Sequence, residues 1–227
     1  MKTNMNSQFN LIAVLLVFTF FNCKQQNTFS DYKFADKPQA ISCEGLNSKL
    51  YNEALYSFED DILNYYQQQK STSTLVQAYS QFLRGSNYGR LKLEDFVSKH
   101  TLDVFEALKE EADLWDANNT ESHLNYHGKT IRCISENIKD ANLKATLNAL
   151  ISTNSMSPKL FGAPLLTKYR NALNDKYLAL YITLDLYYSN LFELNLDLVN
   201  LDKPEQQVDF NKLPPASNPD PHAGHNH

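Results

Sequence analysis

The sequence predicts an all-α fold: one helical bundle of about five to seven helices, with a long C-terminal helix and extended tails at both ends. Three observations predict it. Apolar residues recur at three- and four-residue intervals through most of the chain, which is the period of one helix face. Only 6 of the 227 residues are glycine, too few for the turns of a sandwich or barrel. The aromatic residues, 12% of the chain, fall within the same stripes and so belong to a core.

The first helix begins at Leu46 or Asn47 and runs to about Lys70. Tyr51, Leu55, Phe58, Ile62 and Tyr65 share one face, while Glu59, Asp60 and Asp61 fall mostly off that stripe. After the turn at 71–74, Leu75, Val76, Tyr79, Phe82 and Leu83 mark a second helix, stopped by Gly85. The stretch 84–90 has glycines and two arginines, but it lacks the Gly-Lys-Ser/Thr ending of a phosphate loop and follows no strand. It reads as a helix–helix turn. Between Leu91 and Leu114, Phe96, Val97, Val104, Phe105 and Leu108 predict one or two helices, interrupted near His100, with Thr101 as a cap. His100 reads as a polar or capping histidine, and Glu106, Glu110 and Glu111 as a solvated face.

Trp115 precedes a loop at Asn118-Asn119-Thr120. Ile131, Ile134 and Ile138 mark the next helix, which carries Cys133. Asp140 caps another, striped by Leu143, Leu147, Leu150 and Ile151. Ser155 to Pro158 and Gly162 to Pro164 bracket a predicted loop around Phe161. From Leu165 to Leu194 a single stripe continues through Tyr169, Leu173, Tyr177, Leu180, Leu184 and Leu191, predicting a helix of about 45 Å. Residues 45–200 thus form the helical domain. Residues 201–227, rich in proline and histidine, read as an extended tail.

The N-terminus has a different character. Lys2 is followed by an apolar run, Leu11 to Phe21, and then by Asn22 and Cys23. As a helix that run rises only about 16 Å, short of a hydrocarbon core of roughly 30 Å, so it reads as the hydrophobic centre of a signal peptide. The junction Phe20-Phe21-Asn22-Cys23 resembles the lipobox of bacterial lipoprotein precursors, although Asn22 stands where the commonest box has a small residue. The resemblance covers residues 1–23. It implies cleavage before Cys23, acylation of that cysteine, and anchoring in the bacterial envelope, on the outer membrane facing the periplasm. Residues 23–44 then form a lipid-anchored tether, part of it able to pack on the domain.

Taking Cys23 as the lipid site leaves Cys43 and Cys133 as a candidate disulfide, closing a loop of about 90 residues. Metal ligation has two candidate places. His222, His225 and His227 suit Cu, Ni or Zn on an exported tail. His123 and His127 would share a face if they lay on a helix, giving a second metal site.

The segment shows no nucleophile elbow, dinucleotide fingerprint, zinc-protease helix or Glu-x-x-His pair, so no catalytic residue is assigned. A net charge of −5, with lysines and arginines scattered, gives no footprint for nucleic acid. The expectation is a non-enzymatic, lipid-anchored envelope protein that presents its helical domain to a protein partner. A metal-buffering lipoprotein is the alternative, and an enzyme with a site assembled from distant helices is the third reading.

Overall fold

Helix α1, Ser48–Gln69, is the axis of the molecule. Asn47 caps it, its side chain accepting from the Leu50 amide at 3.3 Å. The predicted stripe is fully buried at Tyr51, Leu55, Phe58 and Ile62. So is the opposite side: every residue from Leu50 to Glu59 is buried. The cause is the number of neighbours, because α1 packs against α2 (Leu75–Asn87), α3 (Lys99–Lys109) and the C-terminal helix α7 (Lys176–Ile182). A helix enclosed on all sides buries its polar positions together with its apolar stripe.

The computed structural model describes residues 29–201, so the export segment, Cys23 and the cluster His222, His225 and His227 lie outside the described residues. Within them are seven α-helices and no sheet, only an isolated bridge between Trp115 and Leu124. Helices α4 (Lys129–Asn137), α5 (Ala141–Ser152) and α6 (Pro158–Lys168) complete the set. Helix α4 packs on α7, α6 packs on α2, and α5 bridges α4 to α6. Phe58 gathers the centre, with the rings of Phe82, Tyr187 and Tyr79 at 4.9, 5.1 and 5.6 Å. No described helix is long and apolar enough to cross a membrane.

Three boundaries differ from the sequence-based expectation. Gly85 does not stop α2; it lies inside the helix, where a Cβ would come within 2.6 Å of the Leu91 side chain. The chain instead turns at Gly89, whose φ of +62° suits glycine. The expected loop around Phe161 is helix α6, started by Ser157 as cap and Pro158 in the first turn. Phe161 is fully buried there, edge-on to Tyr181. The expected unbroken helix from Leu165 to Leu194 is cut after a 3₁₀ turn at Tyr169–Leu173. Asp175 restarts it, its carboxylate accepting from the amides of Leu178 and Lys139 at 3.1 and 2.7 Å. From Lys176 the backbone stays helical through Glu193, a run of about 18 residues, by way of a π turn at Thr183–Tyr187 and a 3₁₀ segment at Tyr188–Glu193.

The segment ahead of α1 is part of the domain. Phe34, Ala40, Ile41 and Cys43 are buried, and Cys43 is joined to Cys133 of α4 by a disulfide with Cα atoms 6.2 Å apart. Asn52 accepts from the Ala40 amide at 2.7 Å, and Tyr56 donates to the Pro38 carbonyl at 2.9 Å. The packed domain therefore begins by Phe29, well before residue 45.

Candidate functional site

The bundle hides carboxylates that the sequence presents as solvent-facing or leaves unremarked. Glu53, Glu59 and Asp61 of α1 are each 3% exposed or less, and Asp175 and Asp185 are likewise buried. Ionised groups at such depth need partners, and each has them.

Glu53 grips the N-terminal segment. Its carboxylate accepts from the Lys33 amide at 2.7 Å and the Phe34 amide at 3.1 Å, and meets His100 Nε2 at 2.7 Å. Glu59 accepts from the Tyr79 hydroxyl at 2.9 Å and pairs with Lys176 at 3.0 Å. Asp185, on the π turn, accepts from the hydroxyls of Ser122, Tyr126 and Tyr181.

Asp61 accepts on Oδ2 from Thr101 Oγ1 at 2.5 Å, Tyr187 Oη at 2.7 Å and the Ser98 amide at 3.3 Å. Burial pushes its carboxyl up to about 6, and these hydrogen bonds hold it from rising further. Burial raises the Asp185 carboxyl as well, and the hydroxyls of Tyr181, Tyr187 and Tyr188 move well above the ordinary phenol range. Neutral Tyr181 and Tyr187 are therefore fixed hydrogen-bond donors, to Asp185 and Asp61.

One of these carboxylates, Asp61, borders a cleft of about 440 Å³. One wall is α1, through Ser57, Asp61, Tyr65 and Gln68. The facing wall is the stretch Phe96, Val97, Ser98 and His100, which a short 3₁₀ turn at Leu93–Asp95 carries into α3. Phe34 and Lys33 close one end, and Asn200 and Leu201 reach the rim from the C-terminal side. Tyr65 stacks on Phe96 with centroids 3.9 Å apart, so the two walls meet through an aromatic pair.

Two polar atoms here have no hydrogen-bond partner although their residues are buried: Ser57 Oγ and His100 Nδ1. Nδ1 lies 3.5 Å from an Asp31 carboxylate oxygen, within ion-pair range. The buried Tyr188 hydroxyl, on the C-terminal helix, faces the Ser57 side chain. Ser57 Oγ and His100 Nδ1 are both buried, and they do not form a nucleophile–base pair, since Ser57 Oγ bonds to no base and His100 Nε2 is taken by Glu53.

The predicted sites divide as follows. Cys43 and Cys133 are brought together. His123 and His127 are not on a helix: both sit in the loop before α4, His123 with a φ of 57°. His123 contacts Glu193 at 3.2 Å and lies against the Phe192 ring, whereas His127 borders a separate depression with Arg132 and Glu136. Among the described residues no group of three or more His, Cys, Asp or Glu side chains could hold a metal ion. His100 and Asp61, absent from the predicted sites, are buried polar residues that the fold brings to the cleft. A period-based reading places Asp61 off the apolar stripe and therefore outside.

The chain matches no protein-family profile, no curated protein and no solved structure.

Proposed function

We propose that this chain is a lipid-anchored protein of the bacterial envelope whose helical domain binds a protein partner. What carries the reading is an exposed apolar run where the C-terminal helix leaves the bundle. Leu196, Leu198 and Leu201 are 60%, 65% and 46% exposed, and Phe192 precedes them on the surface. Leucines presented together at the end of a helix suit a docking edge for a partner's apolar face.

Two further features support it. The Cys43–Cys133 disulfide belongs to an oxidising compartment, in keeping with export. Packing from Phe29 onward puts only five residues, 24–28, between Cys23 and the domain, a chain length that can span at most about 18 Å. An acylated Cys23 would thus hold the domain close to the bilayer, where membrane-bound partners are concentrated.

The test is site-specific photo-crosslinking in intact cells from position 198, with exposed position 145 of α5 as the control. The expected result is one dominant adduct from position 198 only, lost when Leu196→Asp and Leu201→Asp are introduced. Equal labelling from both positions, or no adduct from either, would remove the proposal.

A further inference from the structure

The stretch 84–90, a helix–helix turn by sequence, folds back on the end of α2. Gly89 reverses the chain with its positive φ, and the Arg90 amide returns to the Gly85 carbonyl at 2.8 Å. Leu91 then packs over Gly85, which has no side chain to keep it off. Arg90 and Lys92 are thereby carried back beside Arg84, in the last turn of α2. These three exposed cations line one depression of about 410 Å³, with Gln69 and Gln81 as neutral donors. Aromatic rings complete the lining. Tyr66 lies edge-on to Phe96 at 5.7 Å and to Tyr65 at 5.0 Å. Tyr88 is 61% exposed, with the Arg90 guanidinium 5.4 Å from its ring centre.

Charge sets the ligand class. In a chain of net charge −5, three cations gathered in one depression stand apart from the rest. Among the described residues, no carboxylate lies within ion-pair distance of Arg84, Arg90 or Lys92. Asp95 is the one carboxylate among the lining residues. The carbonyl ends of α1 and α2, at Gln69 and Asn87, add about half a negative charge each. Three cations outweigh these, so the depression favours an anion. Guanidinium groups hold phosphate oxygens through paired N–H donors, and an ammonium adds a compact third charge.

Placement selects the source of the phosphate. The depression adjoins the cleft beside α1, sharing Tyr65, Asp95 and Phe96 with it. Phe29, where the described chain begins, lies 6.1 Å from the ring of His100 in that same cleft. Chain entry and basic depression therefore belong to one side of the domain, the side that a short leash holds toward the bilayer. Exposed tyrosine beside arginine and lysine is also the composition that settles at the level of lipid headgroups. We propose that Arg84, Arg90 and Lys92 bind the phosphate of an anionic membrane lipid, with Tyr88 set in the headgroup layer. The lipid as source rests on the envelope-anchored reading, and the site shares no residue with the exposed leucine run.

The experiment is an amide NMR titration of the isotopically labelled full chain in phosphatidylcholine nanodiscs, in which phosphatidylglycerol replaces a growing share of the lipid. Inorganic phosphate and an oligoglutamate peptide are added to separate samples in phosphatidylcholine alone. The expected result is saturable shifts at Ser86, Gly89, Arg90 and Lys92 with phosphatidylglycerol. Arg90→Gln, an exposed change, should weaken the response about fivefold. The triple variant Arg84→Gln, Arg90→Gln, Lys92→Gln should abolish it, whereas Lys129→Gln on α4 should leave it unchanged. The proposal is overturned if phosphatidylglycerol moves none of these amides, or if the triple variant titrates like the parent. It is also overturned if phosphate or oligoglutamate at equal charge acts as strongly as the lipid. The discs supply the bilayer and the leucine run stays intact, so failure here leaves the partner reading standing, and failure of the crosslink from position 198 leaves this site standing.

Discussion

The Tyr187 hydroxyl donates to Asp61 Oδ2 at 2.7 Å, tying the π turn of the C-terminal helix to α1 across 126 residues of sequence. The burial of Asp61 at this junction makes stability depend on pH in a definite direction. Burial raises the Asp61 carboxyl from 3.8 to about 6, so the folded state holds its proton more tightly than the unfolded chain does. The resulting stabilisation is fully present below pH 3.8 and is lost as pH rises through about 6. The two values differ by the equivalent of roughly 3 kcal/mol. Asp61→Asn removes this titration while keeping an acceptor for Thr101 and Tyr187. Denaturant unfolding at a pH near 4 and a pH near 8 should show the stability of the parent, relative to the variant, falling by roughly 2–3 kcal/mol. A difference that does not change with pH would contradict the assignment.

Glu53 does for the N-terminal segment what Asp61 does for the C-terminal helix. Glu53→Ala leaves the Lys33 and Phe34 amides and His100 Nε2 without their acceptor. The expected cost is about 3 kcal/mol, with residues 30–42 losing amide-exchange protection before the helices do. Glu53→Gln, which keeps one carbonyl acceptor, should lose less. Exchange read by mass spectrometry separates the two.

Reduction of the Cys43–Cys133 disulfide should also loosen this segment, from its other end. The loop it closes is about 90 residues long, for which chain entropy gives an upper value of roughly 4.6 kcal/mol. Unfolding midpoints of the parent with and without reductant, compared with the Cys43→Ser, Cys133→Ser double variant, should show the reduced parent matching the variant. A parent insensitive to reductant would count against the bridge.

The restart of the C-terminal helix is a fourth point of leverage. Asp175→Ala removes the cap on Leu178 and the acceptor of the Lys139 amide together. The expected loss is about 2 kcal/mol, with Asp175→Asn retaining most of it. Thermal unfolding of both variants measures this directly.

How much of this was legible in the chain depends on what periodicity can see. The stripe Tyr51, Leu55, Phe58 and Ile62 was readable because those residues face the core under any packing of α1. Glu53, Glu59 and Asp61 were not, because hydrophobic period assumes one wet face and α1 has none from Leu50 to Glu59. A signal was present: Ala54, Tyr56 and Leu63 are apolar and off the stripe, which marks a helix buried on more than one side. The break at Asn174-Asp175 and the start at Ser157-Pro158 carried ordinary capping signatures, which the continuous apolar stripe and the nearby glycine and proline outweighed. The cleft was beyond reach, since it joins Phe34, Ser57 and His100 from three separate stretches. The disulfide was reached by assigning Cys23 elsewhere, and that assignment rests on the N-terminal resemblance.

Acylation of Cys23 is accordingly the observation on which the proposed envelope role turns most directly. Intact mass and N-terminal peptide analysis of the chain, recovered from the membrane fraction of a bacterium with a working lipoprotein pathway, reads it out. The account predicts a mature chain beginning at Cys23 and carrying diacylglycerol, with Cys23→Ala releasing the domain into the soluble fraction. An unmodified Cys23 on a chain recovered in the soluble fraction would contradict it.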